Sequence, residues 1–383
     1  MTFIVFYYIL NSPFIKPPIY YEYSFLRNTF EIGLIAILIF KVSPFRYSEI
    51  CIILFIATLY LYVSLVNGDS IKNVLELSSL GLFIFLVYQI INKNFRFLEW
   101  HRSLWVIFAI FSSLSALFMY LIIFFYPDAI QDLGRSFYKY NYKYIPIIGT
   151  FLMSTDTVPR FCGYFFEPIC MGMFFSLNII AADKLISNKR GQRLFRIINF
   201  MAGVCTYSMG FFIFMVIYAI YSIFSSRSFR IAIPNLLFLG FIYYYFIEKF
   251  LIIYNSLRFF SRINRYNTSL DILQNTSILS LLHGYGDLEG MRLGAHASIN
   301  VLLTLILFHG LVLGPLILLL YMYIWKKNTI MLTYALYYGM ILYYVFYPII
   351  VIGIFLIITL GQKDFMKMTT FHEKKGKEIY AFH

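Results

Sequence analysis

Long apolar runs recur along the 383-residue chain and alternate with short polar or basic connections. Runs of about 17 residues or more suit helices that cross a bilayer, because in hydrocarbon each backbone N–H and C=O must be paired within its own helix. A membrane barrel would instead alternate apolar and polar residues in short segments. The pattern therefore predicts an all-α, polytopic integral membrane protein with about twelve transmembrane helices.

Three of the predicted spans lie in the middle of the chain. Ser103–Phe125 and Phe165–Ala182 are single crossings, whereas Ile197–Phe224 is either one long helix or two short helices hinged near Thr206-Tyr207-Ser208. Basic residues flank Ile197–Phe224 on both sides, which favours the hairpin. A bend is predicted in the span after the second large loop, at one of three helix-perturbing residues, Gly310, Gly314 or Pro315.

The net charge of +13 is spread mainly over short connections, which is typical of membrane orientation and excludes a nucleic-acid partner as the reason for it. The stretch Lys184–Arg196 is the clearest predicted cytoplasmic loop, and His101 is assigned to another loop on that side. Two enlarged loops, about 126–164 and 248–296, fall on the outer side. A basic tail, about 362–383, and both termini are predicted to be cytoplasmic, and residues 1–383 form one integral membrane domain.

The four cysteines lie in or beside apolar segments, which favours small core residues over a zinc site or a disulfide framework. They are Cys51, Cys162, Cys170 and Cys205. The sequence contains no phosphate-binding loop of the GxxxxGK[ST] type, no paired metal-ligand motif and no GxSxG. It therefore predicts no metal and no cofactor.

The second outer loop carries three arginines at helical spacing, Arg258, Arg262 and Arg265. If Tyr254–Leu282 is helical, they lie on one face. This face is either a solvated basic surface near lipid headgroups or a phosphate-binding surface, since the planar guanidinium suits phosphate better than an ammonium does.

The end of the second outer loop contains further candidates. His283 precedes Gly284-Tyr285-Gly286, whose glycines allow the positive φ of a helix end, so His283 is interpreted as a helix C-terminal residue. His296 and Asn300 share a helical face at the membrane boundary, and Arg292 precedes them. They form either a polar helix cap or a catalytic or substrate-binding pair.

The first outer loop ends in Arg160, Glu167 and Pro168. Pro168 suits the first turn of a helix, and Glu167 beside it complements the positive end of the helix. Alternatively, Glu167 is an ionisable residue kept at the membrane boundary for function, with Arg160 facing the same cavity.

These features together resemble the O-antigen polymerases and the related O-antigen ligases of bacterial surface polysaccharide assembly. The resemblance covers most of the chain in topology and about fifty positions in motif. It rests on the first-loop pattern Arg160-x-x-Gly163-x-x-x-Glu167-Pro168 and on a second loop with Ser261-Arg262, Gly284-x-Gly286 and His296. The chain departs from the family where Ala297 follows His296, and where Tyr207-Ser208-Met209 replaces a Ser-Arg-Gly stretch.

The resemblance implies a metal-independent glycosyltransferase at the periplasmic face of the bacterial inner membrane, which joins oligosaccharide repeats carried on undecaprenyl diphosphate. Glu167 would be the catalytic base and His296 a leaving-group contact. Arginines and an amide would bind the diphosphate or glycan: Arg160, Arg258, Arg262, Arg265, Arg292 and Asn300. Partners would include the lipid-linked glycan, the bilayer, a chain-length regulator and a flippase. The alternatives are a ligase that transfers glycan to the lipid A core, and a flippase that transports lipid-linked oligosaccharide.

Overall fold

The computed structural model describes the chain in continuous stretches and at single positions. The stretches are residues 95–132, 141–145, 150–154, 160–163, 168–225 and 277–284. The single positions are 58, 237, 240, 244, 267, 271, 272, 274, 275, 306, 307, 310–312, 315, 330, 333, 334, 337 and 338. Most of the spans predicted before residue 95, most of the second outer loop and the basic tail lie outside the described residues.

The described stretches contain a helix, a group of strands, three more helices and a last short helix. In chain order they are α1 (Phe95–Phe125), β1 (Gln131–Asp132), β2 (Asn141–Ile145), β3 (Thr150–Ser154), β4 (Arg160–Gly163), α2 (Pro168–Leu185), α3 (Lys189–Val204), α4 (Met209–Ser225) and α5 (Ile278–His283). Two helical segments, His101–Phe125 and Pro168–Leu185, are long and apolar enough to cross a membrane. A mainly helical chain with apolar, span-length helices is therefore confirmed for the described part.

Helix α1 carries a stripe of exposed, large apolar side chains at spacings of three and four residues. The stripe consists of Ile107, Phe111, Leu114, Phe118, Leu121 and Phe125. The opposite face buries polar groups, including Ser112 and Ser113. This is the reverse of a helix at a water-exposed surface, and it suits contact with lipid.

His101 belongs to the buried face of α1, where its side chain is 3% exposed. The prediction that it lies in a loop is wrong, because α1 begins earlier than the predicted span, at Phe95. Apolar residues on both sides of His101 allow the helix to continue through the basic connection.

Helix α2 is the centre of the described part and contacts α1, α3, α4 and β4. Nearly all of its side chains are buried. It begins at Pro168, as predicted, because proline has the φ angle of a helix and its missing N–H is not needed in the first turn. Aromatic side chains pack α1 against α2. The centroid of the Phe174 ring lies 5.3 Å from the ring centroids of both Trp105 and Phe108.

Helices α3 and α4 form the hairpin that the sequence predicts for Ile197–Phe224, with the break at Cys205–Ser208. Most of the predicted loop Lys184–Arg196 is helical, because α2 continues to Leu185 and α3 begins at Lys189. Lys, Arg and Gln are good helix formers, and the Asn188 side chain caps the helix by accepting a hydrogen bond from the Gly191 N–H.

A chain of buried hydrogen bonds ties α1, α2 and α3 together. Trp105 Nε1 donates to Asn178 Oδ1 at 2.8 Å, and Asn178 Nδ2 donates to Asn199 Oδ1 at 3.0 Å. Asn199 Nδ2 in turn donates to the Phe195 carbonyl at 2.8 Å. Polar side chains paired across helices are a common means of helix association in membranes.

The predicted first outer loop folds into an antiparallel sheet with the strand order β1-β2-β3-β4. Lys143 pairs with Leu152, and Leu152 pairs with Phe161 across an irregularity in the register. Ile145, Leu152 and Phe161 are buried, and the Phe161 ring stacks on that of Phe175 in α2 at 6.5 Å. The all-α prediction is therefore wrong for this loop, because aromatic and apolar residues in short segments can pair as strands once their partners come from the same loop.

The predicted second outer loop contains α5, and the condition that Tyr254–Leu282 forms one helix is not met. The chain makes a turn at Asn275, and α5 starts anew after Ser277, whose side chain accepts from the Ser280 N–H. His283 is the last residue of α5 and Gly284 has φ +76°, which confirms the predicted helix end. Gly286 lies outside the described residues.

Gly310 is one of the three residues at which a bend is predicted, and its φ is +81°. This value is outside the range of a right-handed helix, so a departure from regular helix at Gly310 is confirmed. A Cβ at this position would lie 2.1 Å from the carbonyl oxygen of Leu282. The absence of a side chain therefore lets this segment contact the end of α5.

Candidate functional site at the hairpin tip

Of the predicted site residues, Arg160 lies in the described part of the chain, as the first residue of β4. Seven others lie outside the described residues: Glu167, Arg258, Arg262, Arg265, Arg292, His296 and Asn300. The structure therefore defines the surroundings of one candidate directly. Those surroundings are the turn between α3 and α4, residues Cys205, Thr206, Tyr207 and Ser208, which we call the hairpin tip.

Strand β4 is bonded to the hairpin tip by two hydrogen bonds. The Phe161 N–H donates to the Cys205 carbonyl at 3.1 Å. Arg160 Nε donates to the Thr206 carbonyl at a longer distance of 3.4 Å. The half-buried Arg160 guanidinium is thus held where the sheet meets the apolar helices.

The hairpin tip has an ordered internal hydrogen-bond pattern. Thr206 Oγ1 donates to the Gly203 carbonyl at 2.6 Å and accepts from the Ser208 N–H at 3.3 Å. Tyr207 has φ +44°, a left-handed conformation that costs a residue with a Cβ roughly 1 kcal/mol. The hydrogen bonds of Thr206 stabilise the turn on both sides of Tyr207.

Ser208 is fully buried between the first turns of α2 and α4, and within the described part its Oγ has no hydrogen-bond partner. A Cβ on Gly172 of α2 would lie 3.3 Å from the Ser208 Cβ and 3.4 Å from its Oγ. Glycine at position 172 therefore allows the two helices to approach closely here. The interruption Thr206-Tyr207-Ser208 was the sequence signal for this turn, but the sequence gives no sign that the Ser208 hydroxyl is unpaired.

Three tyrosines from a later part of the chain, Tyr334, Tyr337 and Tyr338, contact the same region. Tyr338 OH lies 2.8 Å from Ser176 Oγ, and Tyr337 OH donates to the Gly210 carbonyl at 3.1 Å. Tyr334 OH donates to the Met173 carbonyl at 3.0 Å. Sequence analysis assigned these tyrosines no role, although Tyr334, Tyr337 and Tyr338 recur at the spacing of one helical face.

Helix ends of both signs meet at the hairpin tip, because α3 ends there with a partial negative charge beside Arg160. Helices α2 and α4 both begin beside it, and the N-terminus of a helix carries a partial positive charge. Arg160 adds a full positive charge at the same place. Phosphate is the anion that a guanidinium and helix N-termini bind best, through several N–H groups at once.

The cysteines near this site are core residues. Cys162, Cys170 and Cys205 are buried among apolar side chains, which confirms the prediction of core residues for these three, while Cys51 lies outside the described residues. Among the described residues, no three His, Cys, Asp or Glu side chains group together as metal ligands.

No protein-family model, curated protein or solved structure matches this chain. The features that bear on function are therefore those of this chain itself: Arg160 at the hairpin tip, and the loop side chains that the sequence singles out.

Proposed function

We propose that this protein is a polysaccharide polymerase of the inner membrane, a metal-independent glycosyltransferase with about twelve spans and cytoplasmic termini. It would join oligosaccharide repeats carried on undecaprenyl diphosphate at the periplasmic face. The observation that carries the proposal is the position of Arg160 at the hairpin tip, beside the N-termini of α2 and α4. The sequence resemblance to O-antigen polymerases and ligases gives the proposal its substrate.

The diphosphate is the part of the donor that the site would recognise by charge. When the glycosidic bond breaks, the sugar carbon leaves the diphosphate oxygen and negative charge grows on that oxygen. Preorganised donors aimed at such charge in a partly dry site typically lower the barrier by about 3 to 4 kcal/mol each. Arg160 would act in this way together with Arg262, Arg265 or Arg292, so no metal ion is needed to balance the charge.

The acceptor is a sugar hydroxyl of a second lipid-linked glycan. Its oxygen forms the new bond to the sugar carbon, and its proton must leave because a hydroxyl is a weak nucleophile near neutral pH. Glu167 would take this proton, and it directly precedes Pro168, the first residue of α2. His296 and Asn300 would contact the leaving group, and the Tyr138–Tyr144 segment, part of which forms β2, would stack on sugar rings.

The experiment is the surface polysaccharide ladder of cells that lack this gene and carry a wild-type or variant copy at matched protein levels. We expect the deletion to leave a single repeat on the lipid core. Four variants should reproduce that pattern: Arg160→Ala, Arg262→Ala, Glu167→Gln and His296→Ala. In each arginine variant, the amount of polymer should fall about 100-fold. Arg160→Lys should restore little, because an ammonium lacks the planar fork.

Arg102→Ala is the matched control. Arg102 already pairs with Glu99, at 2.5 Å, and it lies near the N-terminal end of α1. It should give a normal ladder. Finished chains that accumulate on the lipid carrier would instead identify a ligase. Repeats that remain on the cytoplasmic side would identify a transporter and end the enzyme proposal.

A further inference from the structure

The base of the α3–α4 hairpin, at the end opposite the hairpin tip, carries a group of exposed cations. Lys189, Arg190 and Arg193 lie in the first two turns of α3 and are all exposed. The ion pairs found among the described residues join Arg102 to Glu99 and Lys184 to Asp183, and neither involves these three side chains. Their exposed charge is therefore directed to the surroundings of the described part.

The cations continue into an apolar surface on the same helical face. Five exposed residues follow one another at spacings of three, one, three and four residues: Arg190, Arg193, Leu194, Ile197 and Met201. Leu194, Ile197 and Met201 have exposed fractions of 59%, 59% and 50%. The inward face of α3 is different, since Phe195 and Asn199 are buried. One stripe of α3 is thus basic at its beginning and apolar afterwards.

The position of the cations on the helix is unfavourable without an external anion. The N-terminal end of a helix carries a partial positive charge, so cations in the first turn are repelled there. The first turn of α3 contains no acidic residue that would offset this charge. An external anion near Lys189, Arg190 and Arg193 would satisfy both the side chains and the helix end.

We infer that this stripe is a binding surface for acidic phospholipid, with the headgroup phosphates at Lys189, Arg190 and Arg193 and the acyl chains along Leu194, Ile197 and Met201. From Leu194 to Met201 the helix rises about 10 Å, which fits within the roughly 15 Å of one hydrocarbon leaflet. The headgroup boundary would therefore lie between Arg193 and Leu194. The inference goes beyond the proposed function and does not depend on glycosyl transfer.

The combination of charge and apolar surface selects a lipid over other anions. A free phosphate would need only the cations and would leave Leu194, Ile197 and Met201 exposed to water. Basic clusters beside membrane helices attract acidic headgroups by about a factor of five in affinity for each Lys or Arg. Lipid contact explains the basic and the apolar part of the stripe together.

The test uses the full chain purified in uncharged detergent and titrated with short-chain phosphatidylglycerol, phosphatidylcholine or inorganic phosphate. Thermal unfolding midpoint and bound lipid are both measured. We expect phosphatidylglycerol alone to raise the midpoint and to be retained. The triple variant Lys189→Gln/Arg190→Gln/Arg193→Gln should bind it about 100-fold more weakly. Arg102→Gln, which removes a cation that already has an acidic partner, should bind it as the wild type does.

Three results would overturn the inference. Equal effects of phosphatidylcholine and phosphatidylglycerol would mean that headgroup charge is not recognised. An equal effect of inorganic phosphate would mean that the site takes a free anion. If Arg102→Gln lost as much lipid binding as the triple variant does, the total charge of the protein, and not this stripe, would attract the lipid. The polysaccharide ladder is a separate readout, so this inference and the proposed function can fail independently.

Discussion

The two ends of the α3–α4 hairpin are held in different ways. At the tip, β4 donates two backbone-directed hydrogen bonds, Tyr337 reaches Gly210, and Gly172 lets α2 pack closely against Ser208. At the base, the exposed cations of α3 have no acidic partner among the described residues. Protein contacts therefore position the tip, where we propose the chemistry, whereas the cations at the base are exposed.

The largest expected effect comes from Gly203, just before the tip. A Cβ there would lie 2.1 Å from Cζ of the buried Phe211 ring, so Gly203→Ala forces the ring of α4 away from α3. We expect a loss of about 3 kcal/mol, seen as a lower midpoint of thermal unfolding in detergent. Gly240→Ala is the control, because a Cβ there meets no atom within 4 Å. Equal midpoints for the two variants would mean that close packing does not hold the hairpin.

The second effect concerns the hydrogen-bond chain that ties α3 to α1 and α2. Asn178→Leu removes the partner of two buried groups, the Trp105 indole N–H and Asn199 Oδ1. We expect the free energy of unfolding to fall by about 2 kcal/mol in the same assay. The double variant Trp105→Phe/Asn178→Leu should lose less than the sum of the single variants, since it also removes the unpaired indole N–H. Strict additivity of the two losses would contradict the role of this contact.

Two buried serines near the tip give a matched pair. Ser176 Oγ contacts Tyr338 OH and donates to the Gly172 carbonyl, so Ser176→Ala should cost about 1 kcal/mol. Ser208 Oγ has no partner in the described part, so Ser208→Ala should cost nothing or raise the unfolding midpoint slightly. A greater loss for Ser208→Ala would show that its hydroxyl is bonded, for instance to water or substrate.

The smallest effect is expected at the base. In uncharged detergent without lipid, Arg190→Gln should stabilise the protein by about 0.5 kcal/mol or leave it unchanged, because it removes a cation from the positive end of α3. The same measurement on Arg196→Gln should show a loss, since Arg196 Nε donates to the Ile179 carbonyl at 3.3 Å. Destabilisation by Arg190→Gln in the absence of lipid would mean that the base, too, is held by protein contacts.

Sequence reasoning located several element ends correctly because local residues determine them. Pro168 starts α2, Gly284 follows the end of α5, and Thr206-Tyr207-Ser208 interrupts the hairpin. It failed for α3, where a run of cations was interpreted as a loop. Lys and Arg are strong helix formers, and the cap at Asn188 was the local signal that would have placed the helix start correctly.

The outer sheet could not be predicted with the same certainty. Tyrosines alternate with polar residues at Tyr138–Tyr144, a pattern of period two that indicates a strand. The same tyrosines also suit a membrane interface or stacking on sugar rings, and neither interpretation requires a strand. Pairing with β3 and burial of Phe161 on α2 decide it, and those contacts join separate segments of the chain.

By itself, the sequence indicated that apolar helices build most of the described part and where several of them begin and end, because hydrophobic length, proline and glycine act locally. The tertiary structure decided which polar groups meet. Arg160 reaches Thr206, 46 residues away, and Tyr338 reaches Ser176, 162 residues away. Such pairs depend on how helices pack against one another, and packing is a property of surfaces that the linear order of residues does not specify.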